Sequence, residues 1–289
     1  MHYRNRLVGL YYRCQCIYTM VGGRMAEDDQ GVTFVAAAGV AEGRGELVGR
    51  HLATWRAYFS QTHMRVAALQ ASRTLATDQD SSPTGSTSGI ERTACAISAI
   101  LTAVAAIEAA VSEVYITAVD KKRIGDVLSP SEATLAVLWQ VMEKAQTRRK
   151  ITVALSQVGK TLNDMACWQN TNDLFSLRNV LTHYTLGSVV VESSVPDIPA
   201  STPRAIDEIE KTLDSKGITR STLPDTTHFP FVYLNGSCAC WAVESSREFI
   251  DNFCRLMEHP SPFSAIEEHA AASGHSSPFI VVSSDRGAQ

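Results

Sequence analysis

TACAISAILTAVAAIEAAVSEVYITAV, residues Thr93 to Val119, decides the fold. Wound as a helix, this alanine-rich stretch is apolar on nearly every side. Such a helix belongs in the middle of a bundle. Its longest uncharged part, Thr93 to Ile107, has 15 residues, short of the ~18–20 that span a bilayer. The stretch therefore predicts a soluble protein with no membrane partner. The 289 residues around it carry 26 Lys+Arg against 30 Asp+Glu, a net charge of −4, with 45% hydrophobic and 19% charged residues. That is ample chain to bury a core. It excludes a globally basic nucleic-acid binder while leaving room for a local basic site.

Outward from this helix, the pattern of Leu52, Trp55, Phe59, Met64, Ala67 and Ala68 predicts a leading helix over 49–77. The polar run 78–90 predicts a flexible linker. Ser129-Pro130-Ser131-Glu132 is a capping box with proline in the first turn. It opens a helix expected to run through Leu135, Leu138, Trp139 and Met142 to about Val158, closed by Gly159. A short helix at 161–168 leads to an expected polar turn at 169–172, then a helix over 173–184. Residues 186–203 read as a loop with a short strand, 203–216 as an amphipathic helix closed by Gly217, and 218–236 as a hairpin or long loop. Ser237 is expected to cap a last helix to about His259. The architecture is all-α, a bundle of five or six helices with long loops. Residues 1–48 read as a poorly structured extension and 259–289 as a disordered tail. The first 25 residues hold four arginines and no acid, the composition of a transit peptide or of a chain that truly starts at Met25.

Seven cysteines, an odd number, predict reduced thiols in a cytoplasmic protein. Cys14/Cys16 and Cys238/Cys240 have Cys-x-Cys spacing, shorter than the usual zinc pairing, so no metal is expected. There is no P-loop, no Rossmann glycine fingerprint, no nucleophile elbow and no zincin motif. What remains is LFSLRNVLTHY, Leu174 to Tyr184. Helical winding puts its apolar residues on one face and Arg178, Asn179, Thr182 and His183 on the other. A histidine near neutral pKa can take the 2′-hydroxyl proton of RNA or supply one to the leaving 5′-oxygen. A permanently charged guanidinium can hold the phosphate. A solvated helix face accounts for the same residues without function.

Arg178-Asn179-x3-His183, on a core helix that follows an alanine-rich one, resembles the motif of HEPN domains. AAIEAAVSEVY (Ala105 to Tyr115) is similar to their first core helix, and CWAVESSREFIDNF (Cys240 to Phe253) to their last. The resemblance covers about residues 91–258. It implies a helical-bundle, metal-independent endoribonuclease with Arg178, Asn179 and His183 as its site. Cofactors are not expected. It also implies RNA rather than DNA as the substrate, a homodimer that sets two motifs face to face, and toxin–antitoxin or anti-phage service with a cognate antitoxin. The alternatives are a non-catalytic HEPN module that binds RNA or nucleotide or dimerises, and a plain helical structural protein. Three supporting residues accompany the motif. Glu108, a costly carboxylate on an apolar helix, either orients Arg178 or marks an exposed helix edge. Tyr184 either touches phosphate or packs at the helix end, and Thr182 stacks on Arg178. The run Arg148-Arg149-Lys150 reads as a solvated face, with contact to RNA backbone as its functional alternative.

Overall fold

The structure is a computed structural model that describes residues 26–28, 31–33, 58–78, 86–183, 204–221, 229–272 and 279. It divides into two units, residues 1–57 and 58–289. In the first, β1 (Ala26–Asp28) and β2 (Gly31–Thr33) pair antiparallel, with Ala26 opposite Thr33 and Asp28 opposite Gly31. This short ribbon lies within the stretch expected to be poorly structured. The β-branched pair Val32-Thr33 favours an extended backbone, although three residue pairs make only a marginal ribbon.

The second unit is helical, and its described residues contain no strand. Its centre is α2 (Thr87–Ile124), 38 residues long. Ser86 caps its start by accepting from the Gly89 N–H, and Gly125, at φ 83°, ends it in the left-handed region. The helix thus begins inside the expected linker, because Ser86 offers a cap before the apolar run starts. Ala96, Ala99, Ala103, Ala106 and Ala110 form one buried stripe. Ile100, Ile107, Val111 and Val114 form a second. Two buried stripes require neighbours on two sides. α1 (Phe59–Asp78) and α7 (Gly236–Leu256) pack against α2 and against each other. An 18-residue window of α2 reaches a mean hydropathy of 2.1. By length and composition this helix could cross a membrane, so the 15-residue argument does not exclude it. In the bundle 56% of that window is buried.

α1 begins at Phe59, ten residues later than expected; residues 49–57 lie outside the described residues. Its start is closed from another helix. Glu113 of α2 accepts from the Ser60 N–H at 3.0 Å and the Ser60 hydroxyl at 2.5 Å. Its end is tied to α7, where Asp78 accepts from the Gly236 N–H at 2.6 Å.

The capping box at Ser129 and Glu132 forms as expected and opens α3 (Pro130–Met142). The helix then breaks, and α4 (Thr147–Gln157) follows before Gly159, at φ 66°. The apolar phase explains the break. Ile151 lies nine residues after Met142, half a turn out of register, so a continuous helix would bury Arg149 and expose Ile151. Restarting at Thr147 turns Ile151, Ala154 and Leu155 into the core.

The expected helix at 161–168 is a 3-10 turn, Leu162–Asp164. α5 runs from Trp168 to Thr182 straight through the expected polar turn. Its polar residues are satisfied within the bundle. Thr171 is buried and donates to the Cys167 carbonyl, Gln169 donates to Asp173 one turn on, and Asn170 accepts from Lys216 at 2.6 Å. α6 (Arg204–Ser215) ends at Gly217 as expected. A 3-10 turn, Phe231–Tyr233, precedes α7. The cap of α7 is Asn235, whose side chain accepts from the Cys238 N–H, rather than Ser237. Ser237 is already helical and receives the Thr219 N–H. The tail is partly structured. α8 (Ser264–Ala272) follows a fully buried Phe263, which packs against Phe279 at 4.7 Å between ring centroids. The expected strand within 186–203 lies outside the described residues.

Cys95, Cys167, Cys238, Cys240 and Cys254 are unbridged. Burial pushes the Cys238 and Cys254 thiols up to about 12, so they remain protonated and serve as small core hydrophobes.

Candidate functional site

α5 carries its apolar residues inward, with Leu174 and Leu177 buried, and joins the same core as α2. Between these two inward positions and the helix end, Arg178 falls at the edge of the interface. Its guanidinium pairs with the Glu108 carboxylate of α2, seventy residues away in sequence. Arg178 and Glu108 are 27% and 38% exposed, so the pair is half solvated and contributes at most about 1 kcal/mol to stability. What it supplies is direction: the Arg178 head is held against α2. Glu108 is both an orienting group and a partly exposed helix edge.

Arg178 also donates to the Asn179 side-chain oxygen at 3.1 Å. Asn179, Thr182 and His183 are exposed. The Thr182 hydroxyl turns back to the carbonyls of Arg178 (2.9 Å) and Asn179 (3.3 Å), which engages its one proton locally. His183 is not inside the helix. It is the C-cap, at φ −116° and ψ 25°, with its N–H on the Asn179 carbonyl. Its side chain is exposed at the helix end. Tyr184 lies outside the described residues.

The basic run divides. Arg148 and Arg149 are exposed, Arg148 with its guanidinium 5.6 Å from the Trp168 ring centroid. Lys150 is buried, 8% exposed, and corrects the reading of all three as a solvated face. Its ammonium donates to the Ser112 hydroxyl at 3.3 Å and lies 5.3 Å from the Trp139 ring centroid. Its carbonyl receives the Tyr115 hydroxyl at 2.7 Å. Burial pushes the Lys150 ammonium below the usual lysine range, against the opposing pull of Glu108 and Glu143. The signal for Lys150 was its position four residues before Ala154, on the buried stripe of α4. An unbroken helix from Pro130 hides that phase.

Arg178, Asn179 and Glu108 are thus joined by direct bonds, with His183 adjoining on the same exposed helix end. This arrangement presents a fixed cation, an amide and an imidazole to solvent, a set suited to an anionic substrate whose reaction needs proton transfer. Among the described residues no group of three or more His, Cys, Asp or Glu side chains is placed to hold a metal ion. Comparison with protein-family models, curated proteins and solved structures gave no match.

Proposed function

We propose that this chain is a HEPN-like endoribonuclease, with Arg178 as the phosphate clamp and His183 as the proton-transfer group. The observation that carries this reading is the Arg178–Glu108 pair. It fixes the arginine against the alanine-rich helix, beside Asn179 and an exposed histidine. In the reaction the 2′-oxygen of RNA forms a bond to phosphorus as the bond to the 5′-oxygen breaks. One proton leaves the 2′-hydroxyl and one reaches the 5′-oxygen, leaving a 2′,3′-cyclic phosphate and a 5′-hydroxyl. His183 serves one of these transfers, and Arg178 stabilises charge on the non-bridging oxygens. Asn179 positions the phosphate or the guanidinium. A homodimer bringing a second motif opposite supplies the other acid or base. Service as a toxin or anti-phage effector in the cytoplasm, held in check by an antitoxin, follows from the same resemblance.

The test is cleavage of mixed RNA by purified protein in EDTA. Arg178→Ala and His183→Ala are each expected to lower the rate at least ~100-fold, with circular dichroism unchanged because neither side chain is buried. Asn179→Ala is expected to be milder. DNA, which lacks the 2′-hydroxyl, should survive, and light scattering should report a dimer. Full activity in His183→Ala, or a strict need for a divalent metal, would remove this mechanism in favour of the binding module.

A further inference from the structure

Lys150 is a buried cation that forms no ion pair among the described residues. Among the described residues its ammonium has a hydroxyl, Ser112, and an aromatic face, Trp139, but no acid within ion-pair distance. Taking an ammonium out of water is costly unless a counter-charge or several hydrogen bonds replace the water. Ser112 stands one turn beyond Glu108 on the same face of α2, its hydroxyl donating to the Glu108 carbonyl at 2.9 Å. Side chains four apart on a helix are neighbours, ~6 Å between their β-carbons. Glu108 is therefore placed near two cations from two helices: Arg178 of α5, with which it pairs, and Lys150 of α4. Its present bond is half solvated and weak, and a phosphodiester competing for the same guanidinium would meet an anion already seated there.

We propose that Lys150 is a positioning residue for this site: when a phosphodiester takes the Arg178 guanidinium, the Glu108 carboxylate turns to the Lys150 ammonium. The exchange leaves each of the two anions with its own cation and removes the repulsion between carboxylate and phosphate. The handover rests on the nuclease reading only for the identity of the group that displaces Glu108. The charged groups whose fields reach Lys150 are Glu108 on α2 and Glu143 in the turn after α3. Burial and the two acids pull the ammonium in opposite directions, so its titration reports where Glu108 is.

The chain has seven lysines, few enough to follow singly by NMR of protein labelled with 13C at the lysine ε-carbon. The Lys150 signal is assigned by its loss in Lys150→Arg. Arg178→Met keeps the aliphatic stem and deletes the charge, which frees Glu108 without any ligand. The Lys150 midpoint is then expected to rise by about one unit or more. The rise should vanish in Arg178→Met/Glu108→Gln and persist in Arg178→Met/Glu143→Gln. An unchanged midpoint in Arg178→Met, or a rise that survives loss of the Glu108 charge, overturns the handover. A 2′-O-methyl RNA oligonucleotide, which resists cleavage, should produce the same rise in the unmodified protein. If Arg178→Met raises the midpoint and the oligonucleotide fails to bind, the handover stands and the RNA reading falls. If the oligonucleotide binds through Arg178 and Lys150 does not respond, the handover falls.

Discussion

Gly236 opens α7 at a point where the backbone of one helix meets the side chains of another. A β-carbon there would lie 2.5 Å from Leu75 Cδ2 and 2.7 Å from the Asp78 carboxylate oxygen, the same oxygen that accepts the Gly236 N–H. Gly236→Ala gains at most about 1 kcal/mol of helix propensity, and less at a first helical position. Against that stand a clash of about 1–3 kcal/mol and a displaced cap. The variant is therefore expected to lose about 1–3 kcal/mol in urea unfolding; equal or greater stability would show that Leu75 and Asp78 yield without cost. At this scale the sequence was informative where a residue was out of place. Glu108, a carboxylate on an apolar helix, does have a partner. Lys150 escaped notice because its company of two arginines suggested solvent. Asp78, Gly236 and the Ser60–Glu113 cap involve contacts between helices, which no local pattern encodes.

Caps and stops were the legible features of the elements, because each is written in three or four adjacent residues. The Ser129–Glu132 box, Gly159 and Gly217 all act as their local chemistry requires. Phase was less legible. The break between α3 and α4 has no proline or glycine to announce it and follows from where the core lies. Likewise the polar start of α5 is helical because Lys216 and Cys167 satisfy it. The box at Ser129 also gives α3 a pH dependence. Glu132 is held at about 2, first by its hydrogen bond to Lys121 and then by the Ser129 N–H. A carboxyl lowered on folding contributes stability that is present above its unfolded pKa near 4.5 and is lost as pH falls toward 2. Glu132→Gln retains an acceptor for the box but not the charge. Its deficit relative to the unmodified protein should be largest at neutral pH and shrink between pH 4.5 and 2. Ser129→Ala should cost about 1 kcal/mol with a weaker dependence on pH. Thermal unfolding at a series of pH values checks both, and a Glu132→Gln deficit that grows on acidification contradicts the assignment.

Across the second unit, one core joins α1 through α7, and what the sequence presented as a polar tail completes it. Residues 259–289 read as disordered because small and polar residues dominate their composition and outweigh Phe263 and the short apolar run Phe279 to Val282. Both phenylalanines are nevertheless buried, at 0% and 1% exposure. Arg65 of α1 lies over the Phe279 ring at 5.8 Å, and Gln61 of α1 donates to the Pro262 carbonyl. From α7, Asp251 accepts from the Ser261 hydroxyl at 2.7 Å, and Arg247 pairs with Glu267 of α8 at 2.5 Å. The segment straps α1 to α7 at a distance in sequence from the Arg178 motif. Burying one phenylalanine contributes more than the half-exposed Arg247–Glu267 ion pair, since truncating such a ring costs about 3–5 kcal/mol, whereas such a pair gives about 1 kcal/mol or less. Phe263→Ala is therefore expected to lower the melting temperature by about 6–20 °C, and Arg247→Ala by much less. RNA cleavage by the folded fraction should stay near that of the unmodified protein, because the contacts described for the strap are made to α1 and α7. A Phe263→Ala protein that melts with the unmodified chain would return the tail to the solvent.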